Sequence, residues 1–458
     1  MIRKSGVLDQ GRESLLRRVE MMRQSRKSRP TPAPVAATSS KGATAFSTLP
    51  GYDQIRMLQQ IGERLGIGNP YFRVHEGRPG AATRIEGRTL RNFSSYDYLG
   101  LNGHPEVCEA AKAAIDRYGI SATASRLIAG ERPIHGALER ALADHYGVED
   151  CLVFVSGYAT NLGVIGQLVG AKDLVIFDSV VHNSAVLGGV LSGATRRSFL
   201  HNDLDSLEEL LVSSRGKYER VLIVVEGLYS MHGDYPDLPR LIDIKKRHEV
   251  WLMVDEAHAL GVMGTRGYGL AEHFGVDARE VDIWMGTLSK TLAGCGGYIA
   301  GSAELVDYLR YSVGVFVYSV GMPPLIAAAI EKALQIMYRE PERVAKLHQN
   351  TALFHRLARE RDLDTGTAAG TAIAPIIVGD SLPAAILAHR LFERGINVQP
   401  LMYPAVLAKE ARLRFFIMAT HTETDIEAAI DATSEELRNM RKGASKMYTL
   451  AAAALRKS

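Results

Sequence analysis

From residue 106 onward the chain alternates short, uninterrupted apolar runs with helix-length amphipathic stretches, and this limits the folds open to it more than any other feature. The runs are "CLVFVSG", "DLVIFDS", "RVLIVVEG", "WLMVDE", "DIWMGTLSK" and "GYIAGS". A strand with one wet face alternates apolar and polar residues, so strands this apolar must be covered on both faces. The intervening helices supply the cover and the crossovers that parallel neighbours require. The pattern predicts an α/β domain around a mostly parallel sheet. After the long helix expected at "MPPLIAAAIEKALQIMYRE" the texture changes, and "APIIVG", "INVQPLMY" and "RLRFFIMA" predict a smaller α+β unit.

At 458 residues the chain is long enough for more than one domain. The expected segments are a basic flexible tail over 1–47, an N-terminal segment over 48–105, the large domain over 106–325, the small domain over 326–442 and a C-terminal tail over 443–458. A charged helix is expected at 10–27 and a flexible linker at 29–45, with folding in earnest from "LPGYDQIRMLQQIGERLG". The net charge of +3 is unevenly spread. Residues 1–50 hold ten Lys/Arg against three Asp/Glu, which leaves 44 against 48 for the rest. The basic character belongs to the tail, and no nucleic-acid partner is expected.

Three scattered cysteines, Cys108, Cys151 and Cys295, make neither a disulfide framework nor a metal-ligand cluster, so a reducing, cytoplasmic setting and no metal are expected. No apolar run is long enough to cross a bilayer. Asp9, Glu13 and Glu20 argue against a mitochondrial presequence, because such segments avoid acids.

In an open parallel sheet, ligands sit beyond the carboxyl ends of the strands. Four such ends carry unusual polar residues. "VSGYATN" brings Ser156, Gly157 and Tyr158 to a strand-to-helix turn whose amides can hold a phosphate, although most such turns are only helix caps. His182 follows another strand, where a lone histidine is more often structural than catalytic. "WLMVDEAHALG" ends an apolar strand with Asp255 and Glu256, with His258 three residues after Asp255. A carboxylate there is costly unless a cation pairs with it. Lys290 follows "DIWMGTL" between Ser289 and Thr291, and Ser289 stands where a nucleotide P-loop needs glycine.

A buried aspartate, a histidine three residues on, and a lysine near Thr287 and Ser289 together suit pyridoxal phosphate. That cofactor needs a lysine for its Schiff base, a carboxylate to keep its pyridine nitrogen protonated, and hydroxyls and amides for its phosphate. Lys290 is then the nucleophile.

The motifs "YDYLGL", "SGYATN", "DEAHALGVMG", "GTLSKTLAGCGGYIAGS" and "RLRFFIMATHT" resemble those of the α-oxoamine synthases, pyridoxal-phosphate enzymes of fold type I. The likeness spans residues 71–442. Within the family, "VEGLYSMHGD" and "SKTLAGCGG" resemble serine palmitoyltransferases and the synthases attached to polyketide pathways, and "SRLIAGERPIHGALE" leans toward the polyketide-associated group. The resemblance implies that Lys290 carries the cofactor covalently and later serves as the base at the amino acid's Cα. It implies that Asp255 bonds the pyridine nitrogen, that His258 and Ser230 address the phenolic oxygen, and that His182 stacks on the ring. Gly157, Tyr158, Thr287 and Ser289 would bind phosphate, and Ser319 and Val320 would reach the phosphate of the neighbouring subunit in a homodimer. Arg414 matches the residue that binds the amino acid's carboxylate; read by itself it is more readily a strand-edge charge. Asp97, in "SYDYLG", stands where the family usually has asparagine.

The implied reaction is a decarboxylative condensation of glycine, alanine or serine with an acyl thioester, borne by coenzyme A or an acyl carrier protein. An aminotransferase on the same fold is the alternative. The histidine of "DEAH" and the glycines of "GTLSKTLAGCGG" favour the synthase.

Overall fold

The computed structural model describes residues 45–53, 56, 66–407 and 409–455, with side chains to residue 442. The helix expected at 10–27, nearly all of the linker at 29–45 and much of 49–66 lie outside the described residues. The chain divides into two units, Met1–Gly68 and Asn69–Ser458. The described part of the first contains a short turn, Phe46–Thr48, closed by Thr48 Oγ1 donating to the carbonyl of Ala45 at 2.7 Å.

The second unit opens with a hairpin of β1 (Ala82–Ile85) and β2 (Arg88–Asn92). The central strands follow: β3 (Asp150–Phe154), β4 (Leu174–Asp178), β5 (Thr195–Phe199), β6 (Val221–Glu226), β7 (Trp251–Asp255), β8 (Ile283–Thr287) and β9 (Gly297–Gly301). They form one seven-stranded sheet in the order β3-β9-β8-β7-β6-β4-β5. The pairings β4–β5, β4–β6, β6–β7 and β7–β8 are parallel, and β9 runs antiparallel to both β3 and β8. The carboxyl ends of β3, β4, β6, β7 and β8 therefore share one edge.

Two cores explain the unbroken apolar runs. Successive residues of each strand point to opposite faces. Val221, Ile223 and Val225 of β6 enter one core with Leu252, Val254 and Trp284. Leu222 and Val224 enter the other with Met253, Ile283 and Met285. Every residue of β4 and β6 is buried, whereas edge strand β5 exposes Arg196, Arg197 and Ser198. Each fully buried aliphatic side chain contributes about 1.5–3 kcal/mol.

The later region builds a second sheet from β10 (Ile373–Gly379), β12 (Gln399–Leu401) and β13 (Ala411–Phe416), all antiparallel. The run read as one strand, "INVQPLMY", is split. Its start forms β11 (Ile396–Asn397), which pairs parallel with β2, and only then does β12 join β13. The last helix runs Glu423–Leu455, past residue 442. No helix among the described residues is long and apolar enough to cross a membrane.

Candidate active site

β7 ends in Asp255, which is 6% exposed. Its carboxylate accepts from Asn161 Nδ2 at 2.8 Å and from the amide of Ala257 at 2.9 Å. Asn161 Nδ2 also reaches Ser184 Oγ at 3.0 Å, and Ser184 Oγ lies 2.7 Å from His182 Nδ1. An amide nitrogen only donates, so Ser184 gives its own proton to Nδ1, and the neutral imidazole carries its hydrogen on Nε2. Burial, with Lys290 and Arg414 nearby, keeps the His182 pKa below its usual value although Asp255 opposes the shift. The ring is thereby tied to the aspartate through two side chains.

Lys290 follows β8. Burial lowers its pKa to about 8; Asp255 and Glu226 oppose that shift and Arg414 adds to it. Its Nζ lies 5.9 Å from the centre of the Tyr96 ring. Thr287 Oγ1 donates to the carbonyl of Gly296 at 3.0 Å, so the 2.8 Å contact with Ser289 Oγ takes its proton from Ser289.

Against these hydroxyls stands the N-terminus of the helix Gly157–Leu168, capped by Ser156 Oγ, which accepts from the amide of Ala159 at 3.3 Å. A Cβ on Gly157 would lie 2.8 Å from Thr287 Oγ1, so glycine is what lets the helix start approach β8. Free amides at a helix start beside two hydroxyls form an anion cradle. The half-exposed Tyr158 ring meets His182 edge-on at 6.2 Å.

His258 and Tyr98 are both buried, with Tyr98 Oη 2.7 Å from His258 Nδ1. Burial, then Lys290 and Arg414, hold the His258 pKa well below its usual value. With the phenol as donor to Nδ1, the Nε2–H is left free to address a ligand oxygen. Ser230, in the loop after β6, donates its amide to Glu226 Oε2 at 3.0 Å, and its carbonyl accepts from Arg414 Nη1 at 2.8 Å. The Arg414 guanidinium also lies 4.7 Å from the centre of the Phe416 ring. The structure thus brings Lys290, Asp255, His182, His258, Ser230 and Arg414 into one electrostatic group.

Asp97 turns its carboxylate into its own loop, accepting from the amides of Leu101 at 2.8 Å and Asn102 at 3.2 Å. Burial raises its pKa, with those amides and Arg343 opposing. A cavity of about 430 Å³ reaches Lys290 past His75, Asn92, Ser94, Tyr96 and Asp97. Half-buried Ser319 and exposed Val320 follow the short helix Gly314–Val317 and take no part in the contacts just described.

The sequence reading missed Asn161, Ser184, Tyr98 and Glu226. Glu226 carried a legible signal, since it too is an acid ending an apolar strand. Asn161 and Tyr98 lie inside the motifs "SGYATN" and "YDYLGL" without having been singled out, and Ser184 lies in a helix with nothing local to mark it.

The donor set fits pyridoxal phosphate: a buried amine of lowered basicity, a fixed carboxylate, an imidazole of set tautomer, and an anion cradle a Cβ would fill. The model of the class I and II aminotransferase family matches residues 88–432. Over 378 residues the chain is 43% identical to the 8-amino-7-oxononanoate synthase of Geobacter sulfurreducens, covering 82% of this chain and 95% of that one. It is 40% identical to the 4-hydroxy-2,2'-bipyrrole-5-methanol synthase PigH of Serratia sp., over 75% of this chain and 52% of that longer protein. The solved structure of Sphingomonas wittichii serine palmitoyltransferase superposes with a TM-score of 0.81 at 30% identity, covering 86% of this chain and 98% of that one. Fold and site together define a pyridoxal-phosphate enzyme of fold type I. Within that class, the chain belongs to the α-oxoamine synthase family.

Proposed function

We propose that this enzyme condenses a small amino acid (glycine, alanine or serine) with an acyl thioester, releasing carbon dioxide and the free thiol and yielding an α-amino ketone. The observation that carries the reading is the placement of Lys290 beside Asp255, with Arg414 and His258 turned into the same group. Bound pyridoxal phosphate supplies an aldehyde for covalent capture of the amino acid and a ring that accepts an electron pair. Asp255 would hold the ring nitrogen's proton, His182 would lie against the ring, and His258 Nε2–H and Ser230 would address the phenolic oxygen. The amides at Gly157 and Tyr158 and the hydroxyls of Thr287 and Ser289 take the phosphate. Arg414 grips the substrate carboxylate through its planar fork. The free Lys290 Nζ would take the proton from the substrate's Cα. The cavity past Tyr96 and Asp97 admits the acyl chain.

The working unit is a cytoplasmic homodimer in which Ser319 and Val320 complete the partner's phosphate site. Their position on an exposed segment supports this. The test of the reaction uses carboxyl-labelled amino acids screened against acyl thioesters. Labelled carbon dioxide should appear only when the thioester is present. A 2-oxo acid formed without decarboxylation would establish the aminotransferase instead.

The acyl group arrives on an acyl carrier protein, with coenzyme A a poorer substitute. Support comes from the ten basic residues among the first fifty and from "GERPIH", which resembles the polyketide-associated synthases. A basic segment steers an acidic carrier to the enzyme without adding much to the final contact, and salt weakens such steering. The comparison is kcat/KM for one acyl chain on each donor, with and without residues 1–47, at low and moderate salt. A carrier preference that shrinks with truncation and salt supports the role. Equal use of both donors removes it.

A further inference from the structure

A buried carboxylate at a strand end occurs twice in this site. Glu226 ends β6 as the parallel partner of Asp255 at the end of β7. Glu226 is 4% exposed and Asp255 6%. Two carboxylates at neighbouring strand ends in an apolar sheet cannot both be ionised without a large Coulombic cost. Their surroundings differ. Asp255 has a donor on each oxygen, from Asn161 and Ala257. Glu226 has the Ser230 amide on Oε2, while Oε1 is buried and has no partner.

We propose that Glu226 stands uncharged in the working enzyme and acts as a positioning residue, holding the backbone of Ser230 while leaving Asp255 the single anion at the pyridine nitrogen. The inference rests on the pyridoxal-phosphate reading of the site. The charged and titratable groups that face Glu226 are Asp255 from β7, Lys290 from the segment after β8, and Tyr229 from its own loop. Burial, reinforced by Asp255, raises the Glu226 pKa to about 8 against the opposing pull of the Ser230 amide and Lys290. With Glu226 neutral, Asp255 is the one strand-end carboxylate of this pair left to hold the ring nitrogen's proton. Neutrality at Glu226 is thus part of how the ring is tuned.

The experiment is infrared spectroscopy of the loaded protein, wild type against Glu226→Gln. Glu256 provides the control, because it is also fully buried, with Leu270 N–H at both oxygens and a pKa raised by burial to about 8. The carbonyl stretch of a neutral carboxylic acid should be present at pH 7, shift in heavy water, and lose one component in Glu226→Gln and a different one in Glu256→Gln. Cofactor dissociation constants at pH 7 should differ less than threefold between wild type and Glu226→Gln. Glu226→Ala, which removes the acceptor for Ser230, should weaken cofactor binding at least tenfold. Wild-type protein that binds no pyridoxal phosphate would overturn the reading of the site itself. Bound cofactor with no Glu226 component in the neutral-acid band, or a Glu226→Gln variant as weak as Glu226→Ala, would overturn the inference alone. Should Glu226→Gln not fold, isotope-edited wild-type spectra from pH 6 to 10 decide the question by the presence or absence of the neutral acid.

Discussion

The hydroxyl of Tyr98 and Nδ1 of His258, 160 residues apart in sequence, are 2.7 Å apart in the site. Both side chains are buried, so each depends on the other for a partner. Tyr98→Phe should leave Nδ1 unsatisfied and destabilise the protein by about 1–3 kcal/mol. It should also free the imidazole to change tautomer and so shift the cofactor's visible band. An unchanged spectrum and melting temperature would dissociate Tyr98 from the site.

Lys290 gives the most direct test of cofactor attachment. Purified protein should show a visible band abolished by borohydride, and Lys290→Ala should lack it. The rate of capture should also depend on pH. Below about 8 the free amine holds a proton and cannot attack the aldehyde; above it the lone pair is available. The second-order rate for reconstituting apoprotein should therefore rise with pH and reach half its plateau near 8. A midpoint near the ordinary lysine value of 10.5 would mean the amine is not buried as described.

What was legible in the sequence follows from where physical rules act locally. Apolar runs announced a sheet covered on both faces, and the charge ending "WLMVD" announced a paid-up partner elsewhere in the chain. That argument, applied to "LIVVE", would have found Glu226 as well. The split of "INVQPLMY" was not legible, because Ile396 and Asn397 are recruited by β2, some 300 residues earlier. Asn161 and Ser184 look like ordinary helix residues until the fold sets them between Asp255 and His182.

Arg414 and Asp97 make opposite predictions. Arg414→Ala removes a charge-assisted hydrogen bond worth about 1.5–3 kcal/mol, so KM for the amino acid should rise roughly ten- to hundredfold. Cofactor affinity should change far less. Asp97→Asn should alter that KM by no more than about twofold, because the carboxylate already serves the amides of Leu101 and Asn102. A large gain in amino-acid affinity would show that Asp97 faces the substrate after all.

His201 supports the loop that carries Ser230, and its contribution should depend on pH. Its Nδ1 lies 3.0 Å from Asp178 Oδ1 and its Nε2 3.1 Å from Asp234 Oδ2. Asp234 also accepts from Thr367 Oγ1 at 2.6 Å, and the neighbouring Gly233 carbonyl takes Thr371 Oγ1 at 2.8 Å. Burial disfavours the imidazolium, but the hydrogen bonds and charges of Asp178 and Asp234 outweigh it and raise the pKa to about 9. A raised folded-state pKa means that the native state binds the proton more tightly than the unfolded chain. The stabilisation is complete below pH 6.5, declines between 6.5 and 9, and is absent above. The shift corresponds to roughly 3 kcal/mol at the acid end of that window. In denaturant unfolding, His201→Gln should therefore be far less stable than wild type at pH 6, with a smaller gap at pH 9.5. Some gap should remain, because the variant leaves two carboxylates short of a donor. An equal gap at both pH values would show that His201 is neutral in the folded protein and that the bridge holds the Ser230 loop by hydrogen bonds alone.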